Sequence, residues 1–295
     1  MNSGKWFLYP DNVKSGEAAV LIDTTRAFSK RSKTKPTRSK THFLSCLGIT
    51  VFLLSTTSAV FATASKNPNT PQQYIAKPQG WSLDIGGTYT WMSFSTPPTY
   101  SGSTGGFLGK LSYQLPNAFF GQARSYYNLG RLSSSVNKTR FHEWYTEFVG
   151  GYCFSALKNW TITPYAGIGF DFLSDHHTGY STISPIKLKY AIYYALAGLE
   201  THYTWQNWML GLQVDCFPTF NQYLRIKSLS EAAWVLKNRT GVEIQLPITY
   251  RYVRNCWLEF APYYRFLPIG ASDVLGLGKR NLNQWGAFIT LRFYL

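Results

Sequence analysis

Between Trp81 and Leu295 the sequence repeats one pattern ten times: apolar and polar residues alternate with a period of two. That is the period of an extended strand whose two faces meet different surroundings. The cleanest instance is Gly241–Tyr252, where Val242, Ile244, Leu246, Ile248, Tyr250 and Tyr252 interleave with Glu243, Gln245, Thr249 and Arg251. The last, Trp285–Leu295, reads WGAFITLRFYL and ends the sequence. The others are Trp81–Met92, Phe107–Leu115, Ala118–Leu129, Arg140–Phe154, Thr161–Phe172, Tyr190–Trp205, Trp208–Phe220 and Trp257–Pro268. Ala118–Leu129 is the weakest, because its outer face carries Gly121, Ala123 and Ser125.

Within these ten segments the polar parity holds nearly all the charge. Asp84, Glu143, Glu147, Asp171, Glu200, Asp215, Glu243 and Glu259 fall on it, with Lys110, Arg124, Arg251, Arg265 and Arg292 at equivalent positions. A soluble sandwich would place such a face outward and the apolar face in a core. Here 17% of residues are aromatic and only 15% charged, and no amphipathic helices are available to cover an apolar exterior. The apolar parity therefore reads as a lipid-facing surface and the charged parity as a lumen. The expected fold is all-β, a transmembrane antiparallel up-and-down β-barrel of about ten strands, with eight as the alternative count. A mean hydropathy of −0.17 fits such a barrel, since every second residue faces inward.

Connections alternate in expected length. Leu115–Ala118, Ser155–Trp160, Trp205–Trp208 and Val253–Trp257 are short; Ser93–Gly106, Gly130–Thr139, Leu173–Lys189, Asn221–Thr240 and Ile269–Gln284 are long. Tight turns on the periplasmic side and long external loops produce this asymmetry, with both termini periplasmic.

Upstream, residues 1–64 read as an N-terminal extension and signal peptide. The basic stretch RSKTKPTRSK precedes an apolar core and cleavage region at 43–64, ending Ala62, Thr63, Ala64, so cleavage is expected between Ala64 and Ser65. Residues 65–80 form a polar, proline-bearing periplasmic lead-in, and 81–295 the barrel. These features predict export across the inner membrane to a bacterial cell outer membrane. The formal charge of +15 is concentrated in no run beside a nucleic-acid-binding motif, so no nucleic-acid partner is expected. Cys46, Cys153, Cys216 and Cys256 are widely spaced and predict neither disulfide nor zinc site.

The segments EWYTEFVGGYCF (Glu143–Phe154) and ITPYAGIGFDF (Ile162–Phe172) resemble paired strands of small Gram-negative outer-membrane β-barrels, the OmpA-like and opacity-like group. The terminal WGAFITLRFYL resembles the signal such barrels present to the barrel-assembly machinery, which the resemblance implies as a partner beside outer-membrane lipid. One departure is the final Leu295, where that signal usually ends in an aromatic residue; Phe293 lies two positions earlier.

Architecture does not set function. Three readings follow. The thirteen lumenal charges fill a narrow barrel as an ion-pair network, leaving a structural or surface-interaction role to the loops. Alternatively, the eight acids against five bases line a narrow cation-preferring channel. The third reading is a rim-located hydrolase like the omptin proteases, in which Asp175 with His176 would supply one catalytic pair; the other loop acids, Glu231 and Asp273, are isolated. His176 and His177 are adjacent, so in extended chain they point apart, a poor geometry for one metal. No catalytic, cofactor or metal residue is assigned. The basic loop residues Arg225, Lys227, Lys237, Arg239, Lys279 and Arg280 would meet acidic glycans or outer-leaflet phosphates.

Overall fold

The computed structural model describes residues 80–95, 99–115, 118–135, 138–157, 159–178, 186–226, 233–253, 255–272 and 278–295. The expected leader with Ala64 and Ser65, and most of the 65–80 lead-in, lie outside the described residues, as do Glu231, Asp273 and Lys227.

The described residues form one antiparallel sheet of thirteen segments: β1 (Gly80–Ser95), β2 (Tyr100–Gln114), β3 (Phe119–Ser133), β4 (Lys138–Tyr152), β5 (Phe154–Leu157), β6 (Trp160–Thr178), β7 (Ile186–Trp205), β8 (Trp208–Ile226), β9 (Ala233–Leu236), β10 (Thr240–Gln245), β11 (Ile248–Val253), β12 (Cys256–Ile269) and β13 (Arg280–Tyr294). Segments β4 and β5 are one barrel strand broken at Cys153, since both pair with β6. Likewise β9, β10 and β11 run in succession along β8 as a second composite strand. Its lower break is at Leu246 and Pro247, where the proline has no N–H to give the ladder; Gly211 N still donates to the Pro247 carbonyl. The result is ten strands, each paired with its neighbours, and β13 pairs back onto β1 from Ser82↔Tyr294 to Ser95↔Asn281. The barrel is closed, which leaves its ten strands no free edge along the main wall; among the described segments only the short β5 and β9 pair on one side alone.

Register fixes its shape. Trp81 leads through Tyr113, Gly121, Gly150, Ala166, Ala197, Cys216, Val242, Phe266 and Asn283 back to β1 at Ser93, twelve residues along. Ten strands with that stagger tilt by about 40° around a barrel of roughly 10 Å backbone radius. A cylinder this narrow is filled by side chains.

Two aromatic belts ring the exterior. Exposed Trp81, Tyr113, Phe119, Trp160 and Trp208 mark the rim that carries the described termini; Tyr89, Phe107, Tyr127, Trp144, Phe220 and Trp285 mark a second level. The eight residues from Trp81 to Tyr89 separate the belts by about 20 Å along the axis, and exposed Ile85, Leu111, Phe148, Ile168, Leu212, Val214, Ile244, Leu258 and Ile289 fill the band between.

The connections beyond the second belt differ from expectation. Strand continues through most of the stretches read as long loops: β1 and β2 are joined between Ser95 and Tyr100, β3 and β4 between Ser133 and Lys138, while β6, β7 and β8 reach 19, 20 and 19 residues. A barrel strand needs only about 9–11 residues to cross a bilayer, so the wall projects past the apolar band. Polar Ser, Thr and Gly in Tyr100–Gly106 interrupted the alternation in sequence, but paired across to β1 and β3 they are ordinary strand.

Candidate functional site: the lumen

The lumen has three levels, each set by which residues the inward parity supplies. Nearest the rim of the termini, Arg292 of β13 grips Asp84 of β1 with two nitrogens (Nε to Oδ1 2.9 Å, Nη2 to Oδ2 2.9 Å) and reaches Glu259 of β12 at 2.8 Å. Lys110 of β2 lies 2.7 Å from Asp84 and 3.7 Å from Glu259. Two cations and two carboxylates thus lace the closing seam between β13, β1 and β2. Glu200 meets His202 at 2.7 Å on the opposite wall. Between them lies a small recess open to solvent, lined by Lys110, Gln122, Glu200, Gln213, Glu259 and Thr290.

The middle level closes that recess. Arg124 bridges Glu147 (2.8 Å) and Glu243 (3.2 Å), and Arg265 contacts Asp171 (3.0 Å), Glu143 (3.3 Å) and Glu243 (3.5 Å). The Arg265 side chain is 0% exposed. Its guanidinium also stacks 4.6 Å from the Tyr145 ring centroid and 5.1 Å from Phe217, an arrangement suited to a planar, weakly hydrated cation. Two guanidiniums face five carboxylates here, counting Asp215. Neutral donors take up much of the difference, as buried acceptors require. Glu143 accepts from Gln284 (2.8 Å), Asn128 (3.2 Å) and the Tyr126 hydroxyl (3.3 Å). Tyr145 donates to Glu147, Gln245 to Glu243, and Tyr165 with Gln213 to Asp215.

Beyond the second aromatic belt the lumen turns apolar. Met92, Phe94, Leu132, Phe141, Leu173, Ile192, Leu224, Leu236, Leu267, Ile269 and Leu282 pack together there, every one buried. This layer sits within the projecting wall, and the expected strand limits stopped short of much of it.

Of the thirteen charges expected in the lumen, the structure brings eleven into three contact groups: Asp84, Lys110, Glu259 and Arg292 at the seam; Arg124, Glu143, Glu147, Asp171, Glu243 and Arg265 at mid-height; and Glu200 with His202. Asp215 is buried but held by Tyr165 and Gln213. Arg251 is the exception: it has lumenal parity but sits exposed at the rim, donating to Asn207 Oδ1 at 3.1 Å in the β7–β8 turn. Parity sets the face a residue takes, not its height on the wall. The phenols of Tyr126, Tyr145 and Tyr165 were missed, although each shares parity with acids on its own strand or the next.

At the far rim, Asp175 is buried on the lumenal side and accepts from Thr139, while His176, the next residue in β6, lies on the outer face. The two do not form a pair. Among the described residues no cluster of three or more His, Cys, Asp or Glu is placed to hold a metal, and Cys153, Cys216 and Cys256 take part in no disulfide.

No family model and no curated protein matches the sequence. Among solved structures, the outer membrane protease OmpT of Escherichia coli aligns with 74% of this chain and 98% of its own, at 8% identity and a TM-score of 0.51. The translocator domain of the autotransporter NalP from Neisseria meningitidis aligns with 85% of this chain and 98% of its own, at 8% identity and 0.44. Neisserial surface protein A aligns with 74% and 98%, at 13% and 0.33. At such identities the likeness is one of fold, and the fold is that of the small outer-membrane β-barrels of Gram-negative bacteria.

Proposed function

We propose that this chain is a closed, non-conducting barrel of the outer membrane with a structural or surface-interaction role, its terminal rim periplasmic and its projecting wall outside the cell. The observation that carries the reading is the doubly stoppered lumen: a dry layer of arginines, carboxylates and phenols, backed by a packed apolar layer. An ion crossing this lumen would lose its hydration opposite aliphatic side chains, which offer nothing in return. The pore alternative needs lumenal carboxylates that face water; at mid-height they are instead committed to Arg124, Arg265 and neutral donors. The hydrolase alternative needed Asp175 and His176 on one surface, and they take opposite faces of β6.

Conductance in planar bilayers tests this. The protein purified from membranes is expected to insert, as judged by protection from added protease, and to give no discrete current steps. Salt-dependent steps that change with Glu243→Gln would reverse the assignment in favour of a channel.

A further inference from the structure

The recess between the seam and the mid-level stopper carries a run of oxygens on one wall. Cross-strand register sets Thr163 of β6 opposite Glu200 of β7, Glu200 opposite Gln213 of β8, and Gln213 opposite Gln245 of β10. All four share lumenal parity, so they stand as neighbours in one row, about 4.8 Å from strand to strand. Glu200, Gln213 and Gln245 open onto the recess. Gln213 Nε2 donates to Asp215 at 2.7 Å, and Gln245 Nε2 donates to Glu243. A carboxylate accepts only from the NH2 end of an amide. Each glutamine therefore turns its carbonyl oxygen away from the stopper and toward the recess.

Two hydroxyls extend the pattern. Thr290 of β13 is 2% exposed and belongs to the lining, and Thr163 is 1% exposed. The Oγ1 of each has no partner among the described residues, a state in which buried polar atoms are seldom left. Of the donors in the same lining, Lys110 is held by Asp84 at 2.7 Å and Arg124 by Glu147 at 2.8 Å, while Gln122 stands across the recess on β3. The recess thus offers acceptors in excess of donors. Its room is about 30 Å³, enough for one or two water-sized groups. A whole solute does not fit, but the end of a slender chain does. Leu108, Phe120, Val149 and Pro247 supply apolar wall beside it, against which methylenes can lie.

We infer that the recess binds the primary ammonium end of a linear aliphatic amine, with Glu200 as its counter-ion and Gln213, Gln245 and Thr290 as acceptors. An ammonium brings three donors and no acceptor, the complement of this lining. A divalent metal ion would want six or more oxygens and several carboxylates. Here the second carboxylate of the lining, Glu259, is already held by Arg292 at 2.8 Å. The source of the amine rests on the proposed orientation, which opens the recess to the periplasm.

The test is ligand-observed NMR on the protein purified from membranes into detergent micelles, with 1,5-diaminopentane as the probe and 1,5-pentanediol as its uncharged counterpart. The wild-type protein should bind the diamine saturably and ignore the diol. Glu200→Gln keeps the shape, removes the charge and should weaken binding by more than about tenfold. Thr290→Val removes a hydroxyl that no described residue uses, so the barrel should stay folded while affinity falls about fivefold. If Glu200→Gln fails to fold, Thr290→Val carries the test alone. No diamine binding, equal binding of the diol, binding that the folded variants leave unaltered, or calcium occupying the site in preference to the diamine would each overturn the inference. Binding in micelles needs no bilayer, so current steps in planar bilayers would sink the closed-barrel reading and leave this one standing.

Discussion

Arg265 shows how much of the lumen hangs on single side chains. Three carboxylates from β4, β6 and β10 converge on it, and its guanidinium packs against the Tyr145 and Phe217 rings. Replacing it by Met would leave Glu143, Asp171 and Glu243 without their shared cation in a site closed to water. Breaking a buried ion pair by removing one partner costs about 3–5 kcal/mol, so R265M is expected to unfold at markedly lower urea concentration in micelles. Adding Glu143→Gln should recover part of the loss, a non-additivity that a double-mutant cycle would measure. A second expectation concerns a missing side chain. A Cβ on Gly169 would stand 2.5 Å from the Tyr194 ring, so Gly169→Val should displace that ring and lower stability by about 1–3 kcal/mol, read from the same unfolding curves. At this scale the sequence was informative on charges, whose parity can be counted. It was silent on Tyr194 and Gly169, because pairing a large residue with a small one requires the register between strands.

Closure is a property of β13 and β1 together. The terminal strand pairs along its whole length with both β1 and β12, and Leu295 N donates to the Trp81 carbonyl after the last ladder pair. Arg292 then ties the same seam inside the lumen. Removing Phe293, Tyr294 and Leu295 would strip the partners of Ser82, Leu83 and Cys256 and reopen an edge beside the salt-bridged seam. The truncated chain is expected to lose the heat-modifiable gel mobility of a closed barrel, whereas Leu295→Phe, which leaves the ladder intact, should keep it. The ten strands were legible in sequence because alternation survives wherever one face meets lipid. Their far ends were not. Above the apolar band both faces change character: Arg131, Arg140 and Lys189 point outward while Leu132, Phe141 and Tyr190 point inward. The alternation continues there with its polarity inverted, which in sequence reads as its end.

That inversion divides the described barrel into two sections stacked end to end. The lower is lipid-like outside and ionic within; the upper is cationic outside and apolar within, the arrangement of a water-soluble β-barrel. Both share one continuous set of strands, so neither lumen layer can be vacated without the other still blocking the axis. Truncating the apolar layer alone, with F141A/L282A, should create a cavity without a path, because Arg265 and its carboxylates remain beneath it. The cost should be about 3–5 kcal/mol for Phe141 and about 2–5 kcal/mol for Leu282, with no current in planar bilayers. Opening the mid-level alone, with R124A/R265A, should likewise leave the Phe94, Leu132 and Leu267 packing in place. Only the combined variant is expected to conduct, and its current should be cation-selective through the freed Glu143, Glu147 and Glu243. Current from either parent variant would show that one layer is the whole barrier, and the two-stopper account of the lumen would then be wrong.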